Sequence, residues 1–505
     1  MSPGSSTSPT SASHHRQSIK TGEQSPPARA QQNRHVGKPG AASTGGKRPD
    51  GASKSHVDRK SGSRPGSRDV EKSTVNLRIG RPQQVASLLE DIFQWRHPAD
   101  QCVSYYFRQH RHLGGRDRAE IAQAVFDVLR HLRRYRRDAQ SGPGPLNLCL
   151  AWRGLSATLP DASQTLGADA PMQEWVKRCE QIDEQSLPFE VRFSLPDWLA
   201  QRIQAMPEPD SLARSFLRSA AIDLRVNTVK ADRDSALTQV REMLTQSSRH
   251  GFDAKATPYS DVGIRLKGHP PIQRWALFEQ GVLEVQDEGS QLLAKLVDPK
   301  RQEMVIDFCA GAGGKTLALG AMMRSTGRLY AFDVSAPRLA RAKPRFARSG
   351  LSNIHPVVIR PEGDDRVRRL AGKAHRVLID APCTGLGTLR RNPDLKWRQS
   401  ADELDRLQIE QALILEQASI CVRPGGRLVY ATCSVLAEEN EAQVVRFLES
   451  HPEFTLIDAR ALLAAELTEG GHSAVDDQGM VRFRPDWHGT DGFFAAVMQR
   501  QGSLV

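Results

Sequence analysis

Residues 376–383 read RVLIDAPC and residues 427–434 read RLVYATCS. Each is a short apolar run of the kind that forms a buried strand. Each also runs straight into a cysteine: Asp380-Ala381-Pro382-Cys383 in the first, Thr432-Cys433-Ser434 in the second. A long helical pattern lies between them, so the segment reads strand, helix, strand. In an open parallel sheet, ligands sit outside the carboxyl ends of the strands. The pattern therefore predicts two thiols facing one crevice from neighbouring strands.

Upstream of this pair the chain keeps alternating. Strands are predicted at Met304–Phe308, at Arg328–Phe332 ending on Asp333, and at His355–Ile359, with a closing strand at Phe493–Met498. Helices are predicted from the turn after Phe308 through Met323, and over Pro337–Arg348. Such alternation argues for an α/β fold with a doubly wound, Rossmann-like sheet. The first strand opens into Cys309-Ala310-Gly311-Ala312-Gly313-Gly314-Lys315-Thr316, a glycine-rich turn whose backbone can approach a ligand. Asp333 follows 20 residues past Gly313, where an acid typically holds ribose hydroxyls. This points to an adenosine-type cofactor without choosing between NAD and S-adenosylmethionine. Thr316 stands where a dinucleotide fingerprint has its last glycine, and Cys309 where a P-loop has its first.

Four regions are expected. Residues 1–78 read as a disordered basic tail, because the chain up to residue 74 contains no Leu, Phe, Trp or Tyr. Residues 79–190 read as a small helical domain: Val85, Leu88, Leu89, Ile92 and Phe93 fall on one helix face, and a second helix is predicted from Asp117 with a capping box to Glu120. Residues 191–280 read as a small α/β unit, with strands at Leu224–Thr228, Val262–Leu266 and Trp275–Phe278 and a helix at Arg233–Leu244. Residues 281–505 hold the doubly wound sheet. Net charge is +12, of which residues 1–80 carry +9 (14 Lys+Arg against 5 Asp+Glu). A second basic cluster, Arg130 to Arg137, lies at the end of the predicted second helix. Basic tails and patches suit a polyanion such as RNA, or else serve as solvated surface. No apolar run approaches a membrane span, and the N-terminus lacks the apolar core of a secretory signal. The seven cysteines show no C-x-x-C and no zinc spacing, so no metal is expected and a reducing, cytoplasmic setting fits.

Two thiols beside an acid suit one demanding reaction. A pyrimidine is a poor carbon nucleophile until a thiolate adds at carbon 6. Carbon 5 then becomes enamine-like and can take a methyl group from a sulfonium donor, after which the carbon-5 proton leaves and the thiolate is expelled. The scheme needs one attacking cysteine, one group that assists release, and a carboxyl group on the pyrimidine edge, which Asp380 can provide. Positive charge is expected nearby to lower the thiolate pKa, with Lys315, Arg390 and Arg391 as candidates. Cys102, Cys149, Cys179 and Cys421 read as packing residues, and Cys309 as a packing or backbone contact within the turn.

With these residues in place, the chain resembles the Nop/Sun family of S-adenosylmethionine-dependent RNA 5-methylcytosine methyltransferases. The resemblance is carried by DFCAGAGGKT (307–316), Asp333, DAPCTGLGTLRRNPDLKW (380–397), ATCS (431–434) followed by Glu438-Glu439-Asn440, and DGFF (491–494). Gln286 to Gln291 and Arg225 to Thr228 resemble the segments that precede these in the family. Residues 79–190 resemble the NusB-like RNA-binding domain of its bacterial Sun branch.

The resemblance implies a class I methyltransferase fold, with Cys433 as nucleophile and Cys383 assisting product release. It also implies that Cys309, Ala310, Gly311, Ala312, Gly313, Gly314, Lys315, Asp333 and Asp364 hold S-adenosylmethionine, with Asp365 as the alternative to Asp364 and Asp380 between cofactor and base. The second cysteine points to RNA over DNA. Gly311-Ala312 departs from the family's usual Ala-Pro, and Leu386 replaces a smaller or polar residue. The arrangement implies a monomeric, cytoplasmic enzyme of rRNA processing acting on 16S-type RNA of the small subunit. The other function class open to the sequence is an RNA-binding ribosome-assembly factor whose methyltransferase fold is idle.

Overall fold

The computed structural model describes residues 80–246, 251–468 and 471–502. The tail expected at 1–78 lies outside them. The described chain enters as helices around an apolar core, beginning with α1 (Arg81–Ile92), α2 (Ala99–Gln109), α3 (Gly115–Arg130), α4 (Leu132–Asp138) and α5 (Leu146–Thr158). In α1 the stripe Val85, Leu88, Leu89 and Ile92 is wholly buried, and proline occupies the first turn, where its missing N–H costs nothing. Phe93, expected on that stripe, falls at the C-cap and is half-buried.

The helix predicted from Asp117 starts at Gly115. Asp117 sits in its first turn and accepts the N–H of Gly114, the N-cap, at 3.1 Å, so the acid steadies the helix start from inside rather than capping it. The sequence reading also passed over α2. The arginine run does not lie on one helix, because α3 ends at Arg130 and α4 begins at Leu132. Arg130 and Arg134 are buried, Arg133 is half-buried and bonded to Leu195 and Asp197, and Arg136 and Arg137 are exposed, so three of the five arginines are used within the fold.

The helices Asp197–Gln204 and Pro209–Phe216 follow, then strands β1 (Ile222–Val226), β2 (Asp253–Ala256), β3 (Gly263–Lys267) and β4 (Leu283–Val285). They form an antiparallel sheet in the order β2-β3-β1-β4. Pairing of β4 with β1 carries this sheet past residue 280. The strand predicted at Trp275–Phe278 is instead a helical turn, Ala276–Glu279, with Leu277 buried beneath it. A four-residue apolar run has too few positions to distinguish the two periods.

The large sheet contains β5 (Met304–Asp307), β6 (Arg328–Asp333), β7 (Ile354–Val358), β8 (Ala374–Asp380), β9 (Val422–Thr432), β10 (Phe454–Ile457), β11 (Val481–Phe483) and β12 (Phe493–Arg500). Its order is β10-β12-β9-β8-β5-β6-β7, with β11 paired to β12. Strands β5 to β9 run parallel, while β12 is antiparallel to β9 and β10 to β12. Both faces are covered. Leu378 and Val429 pack on one side with Leu292 and Leu319, and Val377, Ile379, Leu428 and Tyr430 on the other with Leu415 and Phe447. Two covered faces explain why these strands read as continuous apolar runs. Strands β8 and β9 are in register at their carboxyl ends, with Ile379 opposite Tyr430 and Asp380 opposite Ala431. No described helix is long and apolar enough to cross a membrane.

Candidate active site

Because Asp380 and Ala431 are paired at the sheet's edge, the chain segments that follow them leave side by side. Cys383 and Cys433 meet there, with their sulfurs 3.3 Å apart. Both are half-buried. The hydrogen bond with Cys433 and burial push the Cys383 thiol well above its ordinary value. One thiol donates to the other across this contact.

The charges near the thiols also differ from expectation. Lys315 does face the site: its Nζ donates to Asp380 Oδ2 at 2.8 Å. Burial opposes the charge on Lys315, but Asp380, Cys433 and Asp307 outweigh it and the pKa is raised, so the lysine stays cationic. Asp380 keeps its side chain 31% exposed, so its carboxylate reaches the crevice. The arginines are spent elsewhere. Arg391 bridges Asp491 and Asp287 at 2.6 and 2.7 Å and reaches the carbonyl of Ala221, and Arg390 donates to the carbonyls of Gly489 and Thr490. They lock the segment after Cys383 to the DGFF loop and to the residue before β1, and their donors are used there.

One strand over, the glycine turn links β5 to the helix Gly314–Met322. Gly311 and Gly313 have φ of +55° and +81°, a conformation that strains any residue with a side chain. A methyl group on Gly313 would run into the Phe346 ring at 2.4 Å, whereas the space before Gly311 is open, with Cys309 O at 3.9 Å. Asp333 at the end of β6 accepts the N–H of Gly311 at 2.8 Å and that of Ser335 at 2.7 Å. Arg225, buried and held below its usual range to about 10 by that burial, donates to Gly314 O at 2.7 Å and to Gln286. That explains why Arg225 and Gln286 accompany the turn in the sequence.

The turn carries charge of both signs: Lys315 ends it, and Arg345 donates to the carbonyl of Ala312. Burial pushes the Cys309 thiol well up, and Asp307, Asp380 and Asp333 push it further. Asp307 accepts the Thr316 hydroxyl at 2.6 Å through one oxygen, and its other oxygen is buried without a partner. Burial, with Asp380 and Asp333 adding to it, carries the Asp307 carboxyl up to about 7. An open backbone turn with Asp333 and Asp380 beside it suits a ligand with a positive sulfonium, such as S-adenosylmethionine.

Asp364 follows β7, the strand paired with β6. It caps the short turn after β7, and its oxygens accept from the Arg360 N–H at 3.1 Å and from Arg366 through N–H, Nε and Nη2. Arg366 holds its carboxyl well below the usual range. Asp365 is paired with Arg368. Leu386, the unusual residue of the Cys383 segment, is wholly buried in a small cluster with Leu389, Leu404, Leu436, Leu212 and Phe216. Its size is used to seat the preceding helices.

The sequence reading attached no role to Glu439. Its carboxylate is wholly buried and accepts from the Thr384 N–H at 2.7 Å, the Thr384 hydroxyl at 2.5 Å, Gln411 Nε2 at 3.1 Å and the Ser434 hydroxyl. The available signal was a hydroxyl residue directly after each cysteine.

Comparison with known proteins agrees with this geometry. Residues 294–499 match the family described as 16S rRNA methyltransferase RsmB/F. The probable ribosomal RNA small subunit methyltransferase B of Synechocystis is 32% identical over 327 residues, 63% of this chain and 70% of that protein. Its Bacillus subtilis counterpart is 31% identical over 340 residues, 65% of this chain and 72% of that one. Among solved structures, PH0851 superposes with a TM-score of 0.66 at 25% identity, over 83% of this chain and 99% of its own. A methyltransferase homolog from Pyrococcus horikoshii superposes with 0.52 at 26% identity, over 63% and 100%. Both thiols, the glycine turn and the acids at the strand ends fall inside the matched span, and the chain belongs to the 16S rRNA methyltransferase RsmB/F family.

Proposed function

We propose that this protein methylates carbon 5 of a cytosine in 16S-type RNA of the small ribosomal subunit, through a covalent cysteine–cytosine adduct. The observation that carries the reading is the pair of sulfurs 3.3 Å apart at neighbouring strand ends, beside a half-exposed carboxylate. Cys433 attacks carbon 6 from the end of β9, with its sulfur held against that of Cys383. Cys383 assists release of the methylated product. Asp380, steadied by Lys315, hydrogen-bonds the pyrimidine edge. The target base must be unpaired or turned out of its helix to reach the sulfurs.

S-adenosylmethionine supplies the methyl group. The turn from Cys309 to Lys315, with Asp333 and Asp380, would hold it. Asp364 would contact it only by giving up bonds to Arg360 or Arg366. Residues 79–190 and 191–280 would grip the RNA and residues 281–505 would carry the chemistry. Relatives named ribosomal RNA small subunit methyltransferase B support the substrate.

The test is adduct formation on small-subunit ribosomal RNA with labelled S-adenosylmethionine. Cys383→Ala should accumulate a denaturation-resistant protein–RNA complex, and Cys433→Ala should give neither complex nor methylated product. Methylation by Cys433→Ala at the normal rate would overturn the assignment.

A further inference from the structure

We infer that Glu439 is a positioning residue that sets the separation of the two thiols. The inference rests on the reading of Cys383 and Cys433 as the reacting pair. Each cysteine is bracketed by hydrogen bonds on both sides. Around Cys383, Gln411 donates to the carbonyl of Pro382 at 2.9 Å, and Glu439 takes both the N–H and the hydroxyl of Thr384. Around Cys433, the hydroxyl of Thr432 donates to Asn440 Oδ1 at 2.5 Å, and Asn440 Nδ2 donates to the carbonyl of Ser434 at 3.1 Å. Glu439 joins the two brackets, because the oxygen that accepts from Thr384 also accepts the Ser434 hydroxyl. Its own backbone is tied down by Tyr430, whose hydroxyl donates to the Glu439 carbonyl at 2.7 Å.

Glu439 has no cationic partner among the described residues. A wholly buried carboxylate without a cation is costly, and only a full set of donors makes it tolerable. Here every donor in that set comes from a cysteine-bearing segment or from Gln411, which itself holds Pro382. An apolar residue of similar size would fill the space but remove this bridge, leaving the bond from the Gly387 N–H to the Cys433 carbonyl and the contact between the Thr384 and Ser434 hydroxyls as the remaining joins. The carboxylate thus adds a second, side-chain link between segments that the backbone already joins once. It touches neither sulfur, so it acts through its neighbours.

Glu439→Gln keeps the shape and tests the bridge. Its amide oxygen can take only one of the two oxygen positions, so its NH2 meets either the Thr384 N–H and Gln411 Nε2, which only donate, or the Thr384 and Ser434 hydroxyls, which must then turn to accept. We expect kcat for methyl transfer to small-subunit ribosomal RNA to fall about 100-fold, with KM and S-adenosylmethionine affinity within about twofold of wild type. A second readout measures the sulfurs directly: formation of a Cys383–Cys433 disulfide by diamide, which takes up the two thiol hydrogens, in the full chain without RNA. Its rate should drop about tenfold in Glu439→Gln, and less in Thr384→Val and Ser434→Ala, each of which removes one hydroxyl arm. Those two variants keep the carboxylate and carry the test if Glu439→Gln does not fold, and they must show the same paired losses. Wild-type kcat in the folded variants, or a loss of kcat with unchanged disulfide rate, would overturn the inference. Wild-type protein that methylates no RNA would instead overturn the functional reading.

Discussion

At the scale of single residues, the two cysteines were legible as a pair because each follows a strand-like run, and the family resemblance implies a different role for each. Their 3.3 Å contact was not legible, because it arises only when β8 and β9 align Asp380 with Ala431. Lys315 was legible as a nearby cation, whereas Arg390 and Arg391 misled, because their partners Asp287, Asp491 and Gly489 lie far along the chain. Lys315 couples to both Asp380 and Cys433. Lys315→Met keeps the bulk and removes the charge, so alkylation of Cys433 by iodoacetamide at neutral pH, followed by peptide mass mapping, should slow about tenfold. Asp307 makes a prediction about pH. Its folded carboxyl titrates near about 7, far above the ordinary carboxylate range. Below that range both folded and unfolded chains are protonated there. Between it and neutrality only the folded chain holds the proton, so stability falls as pH rises through that window and the full penalty is present above it. Asp491, also raised to about 7 by burial and Asp287, contributes with the same sign. Asp307→Asn should therefore flatten part of the decline in urea midpoint between pH 4 and 7, and an unchanged slope would show that Asp307 is ionised in the folded chain.

At the scale of elements, long apolar strands and the amphipathic α1 and α3 were legible from their periodicity. The short strands β2, β4, β10 and β11 and the turn at Ala276–Glu279 were not, because three or four residues show no period. The segment Asn392 to Trp397 shows a different limit. It stood out in the sequence, yet its role lies in residues more than 260 positions away. Asp394 Oδ2 accepts the N–H of Ala99 at 3.2 Å, at the start of α2. Lys396 Nζ donates to the carbonyl of Arg130 at 2.7 Å and Trp397 Nε1 to that of Leu129 at 2.8 Å, at the end of α3. Helix ends carry unsatisfied backbone groups, and this one segment satisfies both kinds. Trp397→Ala should lower unfolding free energy by about 2 kcal/mol, since it removes a ring packed on the helical core as well as the bond. Lys396→Met should change it by less than about 1 kcal/mol, because burial and Arg130 already push that amine well down and an apolar chain of similar length relieves the strain of a buried charge. Denaturant titration of the two variants distinguishes a packing joint from an electrostatic one. A Lys396→Met loss as large as that of Trp397→Ala would mean the charge itself holds the joint.

For the whole molecule, the same joint decides where RNA held by the helices would lie. Arg130 Nη2 donates to the carbonyl of Arg390 at 2.7 Å, and Arg390 belongs to the segment that begins at Cys383. The helices are thus fastened to the loop that carries one of the thiols, and Arg136 and Arg137 leave the same stretch exposed to solvent. Most of the net positive charge is nevertheless in the first 80 residues, at +9 of +12. Charge in these first residues and charge on the folded face can be told apart by salt, because each phosphate neutralised releases counterions and steepens the fall of affinity with salt. Deleting residues 1–78 should lower the slope of log affinity against log salt for small-subunit ribosomal RNA by about 3 to 5, if roughly half of its 14 cationic side chains meet phosphate. Methyl transfer at saturating RNA should stay at the wild-type rate, since the thiols, the turn and Glu439 all lie beyond residue 300. Filter binding across a salt series measures the slope, and a slope unaffected by the deletion would place the grip on the folded face around Arg136 and Arg137.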